Sequence, residues 1–74
     1  MSRPPDQRIA VVSSLLSSIE YSIEAILELE FRSGAIYQYF GVPQAVFQEL
    51  IAAESKGAYF NRHVRNCFRY QRLA

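Results

Sequence analysis

The sequence predicts a small α+β domain, a three-stranded antiparallel meander followed by two helices packed on one face. Three observations predict it. The stretch "ILELEF" (26–31) alternates apolar and acidic residues, the pattern of a half-buried strand. Gly34 follows within a short polar break, where a tight turn needs positive φ. Beyond Pro43 the period changes, with Val46, Phe47, Leu50 and Ile51 at helical spacing. The chain has 74 residues, half of them hydrophobic and ten of them Tyr or Phe. A domain of this size buries roughly 60% of the surface its unfolded chain exposes, so large rings matter to its stability.

Residues 1–8, "MSRPPDQR", hold two prolines and no periodicity, and are expected to be a flexible tail before a single domain at 9–74. Residues 16–25 read two ways. Ile19, Ile23 and Ile26 fit one helical face with Glu20, Glu24 and Glu28 beside it, whereas the alternation that begins at Leu27 favours a strand; both readings stay open at this point. The hairpin is better defined. A three-residue loop, Arg32-Ser33-Gly34, pairs Phe31 with Ala35, Leu29 with Tyr37 and Leu27 with Tyr39, so that apolar residues meet on one face. Glu28, Glu30, Ile36 and Gln38 then share the other. Pro43 suits the first turn of a helix, where a missing N–H costs nothing. Ser55 suits the N-cap of the second helix, starting near Lys56. Gly57 weakens that start, and a reason to have it would be close approach to another backbone.

These residues together resemble a known family. "VSS" at Val12–Ser14, "SIEY" at Ser18–Tyr21, "LELEF" at Leu27–Phe31, "G-x-I-Y-x-Y-F-x-V-P" at Gly34–Pro43 and "A-x-S-K-G-x-Y-F-N-x-x-V-R" at Ala53–Arg65 are similar to the KTSC domain, a small module found at the C-terminus of some lysyl-tRNA synthetases. The resemblance spans about residues 11–70. It implies a short strand near 16–21, the meander and two helices, and, by association, an RNA-linked role. It implies no catalytic residues. The sequence departs from the family after Tyr21, where "SIEA" lacks the usual polar turn with Asp.

Charge is divided unevenly. The net charge is +1, yet residues 1–54 carry Arg3, Arg8 and Arg32 against seven carboxylates, while residues 55–74 carry Lys56, Arg62, Arg65, Arg69 and Arg72 with no Asp or Glu. If the last segment is one helix, Phe60, Val64, Cys67 and Phe68 face the core. Arg62, Arg65, Arg69 and Arg72, spaced 3, 4 and 3 apart, then form a row about 15 Å long on the opposite side. Tyr70 flanks the row. A guanidinium fork binds two phosphate oxygens at once, and Arg beside Tyr is a common nucleic-acid surface. A row of like charges is also an ordinary solvated helix face.

Two functional readings follow. The preferred one is a non-catalytic binding module for RNA (tRNA or single-stranded) or another polyanion, with Arg62, Arg65, Arg69 and Arg72 on phosphate and Lys56 and Tyr70 secondary. The alternative is a protein-interaction or self-association module that uses the acidic and basic halves. No cofactor, metal, small-molecule substrate or membrane partner is expected. His63 and Cys67 are only two ligands, where a structural zinc site wants four, and no apolar run approaches the roughly 20 residues of a membrane span. The single cysteine excludes an internal disulfide and suggests a reducing, cytoplasmic setting.

Overall fold

A computed structural model describes residues 8–74. Its elements in order are β1 (Arg8–Ala10), β2 (Leu16–Tyr21), β3 (Ile26–Phe31), β4 (Ile36–Phe40), α1 (Gln44–Ala52), α2 (Lys56–His63) and β5 (Tyr70–Arg72). The strands form one antiparallel sheet in the order β1-β2-β3-β4-β5. The α+β class and the two helices agree with the sequence reading, but the sheet has five strands rather than three. The extra strands are the two edges, three residues each, too short for alternation to stand out from background. Residues 1–7 of the expected tail lie outside the described residues, and Arg8 belongs to β1 instead.

Residues 16–21 are strand. Ile19 and Tyr21 align with Leu29 and Leu27, which a helix does not allow, and the register shifts between Leu16 and Ser18. Ser22 supplies the polar side chain of the turn that follows. Its Oγ accepts from the backbone N–H of Glu24 at 3.2 Å and of Ile26 at 3.3 Å. Ala25 closes the turn at φ 64°, a left-handed conformation that L-residues adopt at a cost. The β3–β4 register is the one the hairpin pattern requires: Leu27 opposes Tyr39, Leu29 opposes Tyr37, and Phe31 N–H donates to Ala35 O at 2.8 Å. Gly34 occupies the loop at φ 97°.

Pairing strings the sheet into transverse rows. On the inner face run Ile9-Ile19-Leu29-Tyr37-Arg72 and Tyr21-Leu27-Tyr39-Tyr70. The helices cover the middle of these rows. Leu16, Ile19, Leu27, Leu29, Val42, Leu50 and Val64 are wholly buried, each contributing about 1.5–3 kcal/mol relative to exposure. Phe47 of α1 stacks on Tyr21 at 4.7 Å, and Phe60 of α2 meets Tyr39 and Phe31 edge-on at 5.7 and 5.3 Å. Ser55 caps α2, its hydroxyl accepting from Ala58 N–H at 3.2 Å. A Cβ on Gly57 would stand 3.3 Å from Leu15 Cβ, so the close approach is to the Leu15 side chain and not to the backbone that Gly57 suggests.

The outer face carries Arg8-Glu20-Glu28-Gln38-Gln71. Glu20 and Glu28 oppose each other directly, an arrangement of like charges that is unfavourable alone. Arg8 answers it by reaching Glu20 at 3.0 Å, bonding Glu28 as well, and donating to Ser18 Oγ at 2.8 Å.

Candidate functional site: an aromatic groove rimmed by arginine

The expected helical arginine row is absent, because α2 stops at His63. Val64 caps it, and Val64 N–H and Arg65 N–H both return to Phe60 O, at 3.0 and 2.8 Å. Asn66 then takes φ 64°, a conformation Asn tolerates better than most residues, and turns the chain away. Residues 70–72 extend and pair with β4 instead of coiling. Arg62 therefore sits at the end of α2, Arg65 and Arg69 in the reversal, and Arg72 on the edge strand. Cys67, which helical spacing places in the core, is exposed, while Phe60 and Val64 are buried as that spacing indicates.

The reversal builds a different feature. β5 extends the inner-face rows by Tyr70 and Arg72, and the chain after α2 places Arg65 and Asn66 alongside them. Between these walls lies a groove of about 490 Å³. Tyr37, Tyr39, Phe31 and Phe60 line its aromatic part, Asn61, Arg65 and Asn66 the α2 side, and Tyr70 and Arg72 the β5 side.

The three tyrosines form a near-equilateral set. Tyr37–Tyr39, Tyr37–Tyr70 and Tyr39–Tyr70 centroids are 6.3, 5.7 and 5.7 Å apart, with rings inclined by 21°, 42° and 35°. Tyr39 is buried, Tyr37 half-buried and Tyr70 58% exposed, so the set grades from floor to rim. Burial, then the neighbouring Tyr37 and Tyr70, push the Tyr39 phenol up to about 12, with Arg65 opposing. The groove thus holds the neutral Tyr39 phenol beside two cations.

Arg72 lies over Tyr37 at 5.7 Å, within cation–π reach, and its Nε donates to Ala74 O at 2.8 Å. Arg65 Nη1 makes a long contact of 3.4 Å with Asn61 Oδ1. Among the described residues neither arginine meets an Asp or Glu side chain; Arg72 spends its Nε on the oxygen of the terminal residue Ala74, so its two Nη groups and the Arg65 fork keep donors for an incoming anion.

The other site candidates lie elsewhere. Arg62 and Arg69 are exposed but do not line the groove. Lys56 donates to Ala53 O at 2.9 Å and lines a separate shallow depression with Arg32, Ser13 and Ser14. His63 rests against Tyr59, ring centroids 4.5 Å apart. Among the described residues no three His, Cys, Asp or Glu side chains converge in a way that would hold a metal ion, and no helix is long and apolar enough to cross a membrane.

Comparison with known proteins places this architecture. The sequence matches the KTSC domain over residues 12–70. The chain belongs to the KTSC domain family. The crystal structure of a KTSC domain protein from Yersinia pestis superposes with a TM-score of 0.88 at 36% identity, covering 92% of this chain and 97% of that one. An uncharacterized protein of Stutzerimonas stutzeri is 45% identical over 69 residues, which are 90% of this chain and 97% of the relative. A lysine–tRNA ligase of Nostoc sp. is 50% identical over 48 residues, 65% of this chain but 9% of the ligase. The same module thus occurs at full length in a small relative and as a minor part of a much larger ligase. The KTSC match ends at Tyr70, so it takes in Arg62, Arg65, Arg69 and Tyr70, and Arg72 lies beyond it.

Proposed function

We propose that this KTSC domain is a non-catalytic binding module for RNA, with the groove between α2 and β5 as its contact surface. One observation carries the reading. Arg65 of the reversal after α2 and Arg72 of β5 both line one aromatic groove, and neither pairs with an Asp or Glu side chain among the described residues. Two guanidinium groups with donors to spare about an aromatic surface fit phosphate next to a flat ring. Arg62 and Arg69 lie outside the groove and add to the field that draws a polyanion in; Lys56 is more distant. The occurrence of the module within lysine–tRNA ligases supports RNA as the polyanion. An RNA partner and a single free thiol both suit the cytoplasm.

The test is titration of the purified domain into labelled RNA at low ionic strength. Salt-sensitive binding is the expected result, and Arg65→Glu together with Arg72→Glu removes it while the circular dichroism spectrum is retained. An absence of RNA binding at low salt sinks the reading.

The protein-interaction alternative has its own supporting observation. Glu20, Glu28 and Glu30 share the outer sheet face with one counter-charge among the described residues, Arg8, which leaves that face acidic. Salt-sensitive self-association in sedimentation experiments without nucleic acid favours this second reading.

A further inference from the structure

We infer that the groove accepts unpaired bases, so that the partner is a single-stranded RNA segment engaged through its rings as well as its phosphates. This rests on the RNA reading and names what fills the aromatic part of the site.

Three tyrosines at 5.7–6.3 Å spacing are more aromatic surface than phosphate binding needs. Exposure rises in steps from Tyr39 through Tyr37 to Tyr70, which presents 58% of its surface. An exposed ring on an edge strand, beside two other rings, offers a face on which a base can stack. The Arg72 guanidinium, 5.7 Å from the centre of the Tyr37 ring, adds a second group of the kind that stacks on bases.

The opposite wall supplies the remaining chemistry. Asn61 and Asn66 line the groove with amides that both donate and accept, as a base edge requires. Arg65 lines the groove with them and is the cation assigned to the phosphate of the nucleotide whose base lies on Tyr70. A duplex cannot use these rings, because both faces of its bases are covered by neighbouring pairs and only its backbone reaches such a groove. Stacking on one aromatic residue is worth on the order of 10- to 100-fold in affinity.

The experiment compares three probes at equal low salt by anisotropy competition: a single-stranded RNA dodecamer, a duplex of the same sequence, and inorganic polyphosphate. The expected order is single strand tightest by at least tenfold, with tyrosine fluorescence quenched only by the single strand. Tyr70→Thr keeps a strand-forming residue and removes the ring; it should lower single-strand affinity at least tenfold and polyphosphate affinity by much less, and Tyr70→Trp should restore the single strand. Asn61→Asp puts a carboxylate into the groove from the helix side, independently of the sheet, and should weaken every polyanion that enters the groove. If all three probes bind equally and Tyr70→Thr does not discriminate among them, the base-stacking inference is overturned while the polyanion reading stands. If no probe binds, both fall.

Discussion

Tyr59 of α2 donates its phenolic hydrogen to Glu49 Oε1 of α1 at 2.6 Å, tying the two helices together at the surface. Desolvation, then the hydrogen bond and the charge of Glu49, push this phenol up to about 12. Tyr39, held by burial, stands at about the same value. Both groups keep their protons more tightly in the folded chain than in the unfolded one, where the ordinary value is near 10. The unfolded state therefore binds fewer protons between pH 10 and 12, and stability falls as pH rises through that window. The stabilisation is fully present below pH 10. Urea unfolding at pH 8, 10 and 11 should show the midpoint falling above pH 10. Tyr59→Phe should flatten the decline and, at pH 8, cost about 0.5–1.5 kcal/mol for the missing hydrogen bond. A midpoint independent of pH up to 11 would contradict this account.

Ala25 marks a local conflict between chain and fold. Its φ of 64° is left-handed, and its carbonyl accepts from Val42 N–H at 3.0 Å, so the conformation is held by a long-range hydrogen bond. Replacing it with Gly removes the Cβ penalty, which outweighs the extra flexibility gained by the unfolded chain. Ala25→Gly is expected to raise stability by about 0.5–1 kcal/mol, and Ala25→Val to lower it by at least as much. Chemical denaturation of the three proteins decides it; a destabilised Gly variant counts against the conformation described.

The same residues show what the sequence makes legible. The hairpin register is readable because alternation in Leu27-Glu28-Leu29-Glu30-Phe31 and the position of Gly34 agree on one loop length. Ser55 announces the start of α2 because its cap is local chemistry. The end of α2 is hidden, since Arg62, Arg65, Arg69 and Arg72 satisfy a helical period that the chain does not use. Two signals oppose that period: Asn66, suited to a left-handed turn, and the aromatic alternation of Phe68 and Tyr70, which favours strand. Helix propensity is a weak preference, and pairing with β4 overrides it. Arg65 and Arg72 do meet at one surface, but through a chain reversal rather than a helical repeat. Tyr37, which its pairing with Leu29 assigns to the core, packs against the core and also lines the groove.

Asn66 is accordingly a hinge between scaffold and site. Asn66→Gly should fold as stably as the parent, because Gly accepts φ 64° without strain. Asn66→Val should lose about 1–2 kcal/mol, since a β-branched residue is disfavoured in that region. Thermal unfolding measures the difference. Equal melting temperatures for Gly and Val variants would mean that residue 66 does not hold this conformation in solution.

The sharpest discrimination lies among the four arginines. A continuous ridge makes them equivalent; the groove separates them into Arg65 and Arg72, which line it, and Arg62 and Arg69, which do not. Removing one phosphate-binding cation from a single-strand complex lowers the slope of log affinity against log salt by about 0.7. Arg65→Gln and Arg72→Gln should each reduce the slope by that amount and weaken binding clearly. Arg62→Gln and Arg69→Gln should change affinity by less than about threefold at moderate salt, because screening over a Debye length of about 10 Å removes most of their contribution. These variants remove charge at exposed positions and leave the core intact. Titration of all four at three salt concentrations therefore tests the site rather than the fold, and four equal losses would return the binding surface to a diffuse basic patch.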